Sequence, residues 1–119
     1  SAVETALVAE FGEYNVWRVW GSDRYETSYE LANLAQGLFD FGASGVCVAT
    51  GETFPDALAG SQLAGNRYAP LLLSRAGSLP EISGTWLSEN SEEIRYVTFL
   101  GGTAALSPAV RTAVSSHLK

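Results

Sequence analysis

Val46-Cys47-Val48-Ala49 is an apolar run with no polar member, bracketed by Gly45 and Thr50-Gly51. A strand with one wet face alternates apolar and polar residues. A run without alternation must be covered on both faces, as in a parallel strand between layers of helix. The chain repeats the plan that such a sheet needs. Val16 to Trp20, Ala69 to Ser74 and Tyr96 to Leu100 are further short strands, with Pro70 near the start of its strand. Each is followed by a polar turn containing glycine and then by a helix.

The helix starts carry their own chemistry. Asp23 is placed to cap a helix over about 24–41, with Glu26 reaching back in a capping box. On that helix Tyr25, Tyr29, Ala32, Ala35 and Phe39 recur at steps of three and four, widened by Leu31, Leu34 and Leu38. Thr53-Phe54-Pro55-Asp56 and Ser78-Leu79-Pro80-Glu81 share one form: hydroxyl, apolar, proline, acid. Both predict a capped helix start with proline in the first turn. Leu58, Ala59, Leu63 and Ala64 form the small-residue face that the helix begun by Thr53-Phe54-Pro55-Asp56 packs on the sheet. Ser107-Pro108 caps the last helix. Strands alternating with helices build βαβ units with right-handed crossovers. The expected fold is α/β, a small open four-stranded parallel sheet of Rossmann or flavodoxin-like type, with helices on both faces.

A chain of 119 residues suits one core. Seven Lys and Arg stand against thirteen Asp and Glu, a formal net charge of -6, which disfavours a nucleic-acid partner. No apolar run approaches the ~20 residues needed to cross a bilayer, so no membrane insertion is expected. No signal-peptide pattern opens the chain. Cys47 reads as a small buried strand residue, and His117 as a surface residue near the end of a helix. One histidine and one cysteine make no common metal site. Neither Gly-x-Gly-x-x-Gly nor the phosphate-loop pattern occurs. No catalytic residue, cofactor or metal is expected, and no enzyme activity.

In an open α/β sheet, ligands bind beyond the carboxyl ends of the strands. The loops expected there bring Ser22 and Arg24, Thr50 and Glu52, Ser74 and Arg75, and Gly101, Gly102 and Thr103 to one edge. Helix N-termini, hydroxyls and guanidinium groups together suit anions or sugars. Turn chemistry alone also accounts for the glycines and hydroxyls. Arg24 is either a ligand contact or a partner of Asp23, Glu52 or Asp56. Trp17, Trp20 and Trp86 stack on sugars if exposed, and pack in the core otherwise.

Ala109-Val110-Arg111-Thr112-Ala113-Val114 nearly repeats Ala2-Val3-Glu4-Thr5-Ala6-Leu7. One unit of a tandem array that keeps the preceding unit's last helix would look like this. Residues 1–14 are therefore expected to be a helix from a preceding repeat or an N-terminal extension, and 15–119 a single repeat. Four segments then carry a resemblance. Arg18-Val19-Trp20-Gly21-Ser22-Asp23-Arg24-Tyr25-Glu26-Thr27, Gly51-Glu52-Thr53-Phe54-Pro55-Asp56-Ala57-Leu58, Pro70-Leu71-Leu72-Leu73 and Gly101-Gly102-Thr103-Ala104-Ala105-Leu106-Ser107 resemble, in order, the signatures of the type 2 cell-wall-binding repeat. Leu71 stands for an isoleucine of that pattern and Leu106 for a valine. The resemblance implies an extracellular, noncovalent anchor to the walls of mainly Gram-positive bacteria. It implies an anionic secondary wall polymer as partner, teichoic-acid-like or a phosphate-bearing polysaccharide. Neighbouring repeats or self-association are implied too, because members usually carry about three copies packed together. The alternative is a structural module that packs with its neighbours and has no ligand site of its own.

Overall fold

The computed structural model describes residues 1–118. In chain order its elements are α1 (Ala2–Phe11), a 3-10 turn (Glu13–Asn15), α2 (Arg24–Leu38), β1 (Gly45–Thr50), α3 (Pro55–Asn66), β2 (Leu71–Ser74), α4 (Glu81–Glu89), β3 (Tyr96–Leu100) and α5 (Pro108–Ser116). The sheet has three parallel strands in the order β2-β1-β3. Ala49 of β1 lies opposite Leu73 on one side and Leu100 on the other.

The apolar run does what its composition requires. Every residue of β1 is buried. Side chains alternate across a strand, so Val46 and Val48 enter the main core with Leu72, Trp86, Leu87 and Val110. Cys47 falls in a second, smaller cluster with Ala64 of α3 and Ala69. Each fully buried Val or Leu contributes about 1.5–3 kcal/mol relative to exposure. On α3 the closest approach is made by a glycine. A Cβ at Gly60 would sit 2.1 Å from Leu100 Cδ1, so only the bare backbone lets the helix lie this near β3. Gly60 and Ala64 are the buried positions of α3, while Leu58 and Ala59 of the expected face are exposed.

The fourth strand does not form. Residues 16–20 make no ladder bond; Trp17, Arg18 and Trp20 are exposed. The reason lies at the outer edge of β2. The Leu73 N–H there donates to Ser28 Oγ of α2 at 3.1 Å, so a helix covers the edge that a further strand would have used. The segment is held locally instead. The Val16 N–H bonds Glu13 O at 3.4 Å, the Trp17 indole N–H bonds Tyr14 O at 3.1 Å, and the Gly21 N–H bonds Thr27 Oγ1 at 3.0 Å. High strand propensity does not make a strand where the edge is already taken, as that of β2 is by α2.

Asp23 caps α2 as expected: its Oδ1 accepts from the N–H groups of Tyr25 and Glu26, both at 2.9 Å. Glu26 reaches back one residue further than expected, to the Ser22 N–H. Ser107 Oγ accepts from the Val110 N–H at 3.4 Å and caps α5. Thr53 and Ser78 do not cap. The helices start with Phe54 and Pro80 at the capping position, so each hydroxyl lies too early in the chain to reach the orphan N–H groups. α1 stands apart, with no buried residue. Its Glu4 forms an exposed ion pair with Arg18 at 3.3 Å.

Candidate functional site

The turn 21–24 and the loops leaving β1 and β2 meet at the carboxyl end of the sheet, and side chains bind them into a ring. Arg24 Nη1 of the first donates to the Gly51 carbonyl oxygen of the second. Glu52 Oε1 of the second accepts the Ala76 N–H of the third at 3.1 Å. Arg75 of the third lays its guanidinium over the Tyr25 ring, 4.8 Å from the centroid, and so returns to α2. Arg24, Glu52 and Arg75 are exposed. None of the carboxylates considered for Arg24 is its partner; the acceptor is a backbone carbonyl.

The hydroxyls divide by depth. Thr50 is buried, and its Oγ1 accepts the Glu52 N–H at 3.2 Å. Ser74 is fully buried, its Oγ 2.9 Å from Arg75 O and 3.3 Å from Ser78 O. Both shape the loops from below. Ser22 is exposed and lines a cleft of about 440 Å³ with Tyr25, Arg75, Pro80 and Thr85. Arg24, Gly51, Glu52 and Phe54 line a second cleft of about 350 Å³. Glu26, which lines the first cleft beside Ser22, is held below the usual carboxylate range by hydrogen bonds from the Ser22 hydroxyl and N–H.

Gly101, Gly102 and Thr103 are exposed and line neither cleft. Gly101 has φ +105°, and a Cβ there would come 2.5 Å from Asp56 Oδ2. Its carbonyl accepts from Arg111 Nη2 at 3.1 Å, while Arg111 Nε donates to Leu106 O at 3.3 Å. The Ser107 N–H reaches Ala76 O at 2.9 Å and ties this fourth loop to the third. Tyr25 and Arg111, both central to the loop ties, are not among the residues expected to form the site; in sequence Tyr25 reads as a helix and signature residue and Arg111 as part of the repeated helix. Tyr25 meets a guanidinium 50 residues further on, and Arg111 bonds backbone carbonyls ten and five residues before it, which look alike at every position of a sequence.

His117 is half-buried, not a free surface group. Its Nδ1 lies 2.7 Å from Ser88 Oγ and its ring packs where a Cβ on Gly84 would fall. Among the described residues no group of three or more His, Cys, Asp or Glu side chains could hold a metal ion. Nor is any described helix long and apolar enough to cross a membrane.

A three-stranded parallel sheet, its carboxyl edge dressed with hydroxyls and two exposed guanidinium groups, defines a small α/β module with a polar, anion-compatible face. The family follows from the whole sequence: residues 18–111 match the profile of cell wall binding domain 2, and the chain belongs to that family. It is 33% identical over 102 residues to the N-acetylmuramoyl-L-alanine amidase LytC of Bacillus subtilis (strain 168), a match covering 86% of this chain and 18% of the amidase. Among solved structures it is similar to Cwp6 from Clostridium difficile, with a TM-score of 0.73 and 27% identity over 83% of this chain and 15% of that one. Cwp8 from Clostridium difficile matches with a TM-score of 0.73 and 25% identity, over 99% of this chain and 18% of that one. The chain thus spans 15–18% of the length of these relatives.

Proposed function

We propose that this chain is a noncovalent anchoring module of the bacterial cell surface that holds an anionic wall polymer, teichoic-acid-like or a phosphate-bearing polysaccharide, on its loop edge. One observation carries the reading. In a chain of net charge -6, neither Arg24 nor Arg75 forms an ion pair among the described residues. A guanidinium has five N–H donors. Arg24 commits donation to one carbonyl, and Arg75 offers its face to Tyr25. Both keep donors for phosphate or carboxylate oxygens, which the planar fork suits. Ser22 adds an exposed hydroxyl beside Arg75, and Gly101, Gly102 and Thr103 extend the edge. Thr50 and Ser74 act from beneath, as braces, and the exposed Glu52 ties the second loop to the third.

Purified wall with its anionic polymer should pull the protein down, and added salt should release it, because exposed charge contacts are screened. Equal retention on wall stripped of the polymer sinks the proposal.

A second reading, packing against a neighbouring copy, has its own observation. Val3, Leu7 and Phe11 of α1 are 70%, 41% and 59% exposed. At the matching positions of α5, Val110 and Val114 are 0% and 1% exposed, and Leu118 just beyond it packs on the same core. The same apolar face is thus used at one end of the chain and bare at the other. This supports α1 as the last helix of a preceding repeat, with residues 15–119 as one repeat unit. Sedimentation of a protein extended by one copy at the front, against this chain, separates the two arrangements. Apolar dye binding that stays equal in both rejects the tandem reading.

A further inference from the structure

Residues 18–20 and the second half of α2 line an open groove of about 490 Å³. Trp20 stands at its rim, 66% exposed. Arg18, Glu30, Asn33, Leu34 and Gly37 line it with Trp20. We propose that this groove is a carbohydrate subsite that stacks one pyranose ring of a wall glycan on the Trp20 indole. The inference rests on the wall-binding reading and adds a neutral contact to it.

Three features point the same way. The apolar face of a pyranose ring matches an exposed indole, whose flat surface is otherwise a solvation cost. The side chains of Glu30 and Asn33 make no hydrogen bond among the described residues, so a carboxylate acceptor and an amide with two donors and an acceptor are free for ring hydroxyls. Gly37 is the last residue but one of α2. A Cβ there would meet nothing within 4 Å, so no packing in this chain demands the glycine. What it leaves is bare helix backbone that a sugar ring can approach.

The sugar probes carry no charge, which separates this test from that of the polymer site. Protein labelled with nitrogen-15 gives three indole N–H signals, from Trp17, Trp20 and Trp86. Titration with the tetrasaccharide of N-acetylglucosamine, and separately with maltotetraose, should move the Trp20 signal saturably at low and high salt alike. The signal of buried Trp86 should stay in place and report an intact fold. Tighter binding of the acetylated sugar points to the glycan strand of peptidoglycan, and tighter binding of maltotetraose to a plain polysaccharide. Trp20→Ala should weaken binding by about tenfold, which is about 1.4 kcal/mol. Gly37→Leu should do the same by filling the groove while the indole remains. No movement of Trp20 with either sugar overturns the proposal, even if salt-sensitive retention on wall persists. So does binding indifferent to both substitutions, or a groove whose substitutions change only self-association.

Discussion

The guanidinium of Arg24 donates to the carbonyl oxygen of Gly51, 27 residues further along the chain. This single bond links the start of α2 to the loop that leaves the central strand. It also places an exposed positive charge at the mouth of a cleft. On the proposed function, structure and binding share one side chain, and two substitutions divide them. Arg24→Gln keeps a donor for Gly51 and removes the charge. Arg24→Ala removes both. The lost hydrogen bond should cost about 0.5–1.5 kcal/mol in the alanine variant, measured by urea unfolding, and less in the glutamine variant. Both should lose salt-sensitive retention on wall carrying its polymer. A glutamine variant that binds as well as the parent would make Arg24 a structural tie alone.

Acid should reveal the tie at the other side of the same turn. Glu26 has its carboxyl lowered from the ordinary 4.5 by the Ser22 hydroxyl and then the Ser22 N–H. A carboxylate with a lowered value in the folded state stabilises above its unfolded value and loses that contribution as pH falls through the folded one. The parent should thus exceed Glu26→Gln in stability at pH 6, and the gap should close as pH drops below about 4. Thermal melts of both proteins across that range test it. A gap that widens with acid reverses the assignment.

How much of this was legible before the structure can be judged from single residues. Val46 and Val48 announced a strand covered on both faces, and the cap on Asp23 is local chemistry that any helix start displays. The third and fourth residues of Thr53-Phe54-Pro55-Asp56 are equally local, yet the expected cap fails, because the helix begins at Pro55 and leaves Thr53 outside it. Residues 16–20 failed for a nonlocal reason. Whether they pair depends on the β2 edge, and Ser28, read only as a helical position, already bonds the Leu73 N–H there. The loop ring was hidden in the same way. Arg24 and Glu52 were visible as candidates, but their acceptor and donor are backbone groups of Gly51 and Ala76, which look alike at every position of a sequence.

Cys47 offers a check on the sheet's second face. It is 1% exposed, beneath α3, and burial raises its thiol above the usual range, with Arg67 opposing the shift. Both inaccessibility and low thiolate content suppress reaction. A disulfide reagent at pH 8 should label the native protein only as fast as it unfolds, and rapidly in denaturant. Immediate labelling of the native state would mean that α3 does not cover β1. Cys47→Ser should cost about 1–3 kcal/mol, since the hydroxyl replaces a group that tolerates apolar surroundings.

The contrast between α1 and α5 yields the most direct test of what surrounds this unit. Val114 is 1% exposed and joins the core that holds Val46 and Trp86. Its truncation to alanine should cost about 2 kcal/mol, by analogy with other methyl deletions in packed cores. Leu7, its counterpart in the repeated segment, touches no buried cluster. Leu7→Ala should change stability by less than about 0.5 kcal/mol in this chain. The two substitutions should converge when a preceding copy is joined at the front, because Leu7 would then enter that copy's core and its loss would leave a cavity there. Urea unfolding of the single and the extended protein, each with each substitution, reads this out. If Leu7→Ala remains neutral in the extended protein, α1 is an appendage of this unit rather than the closing helix of the one before it.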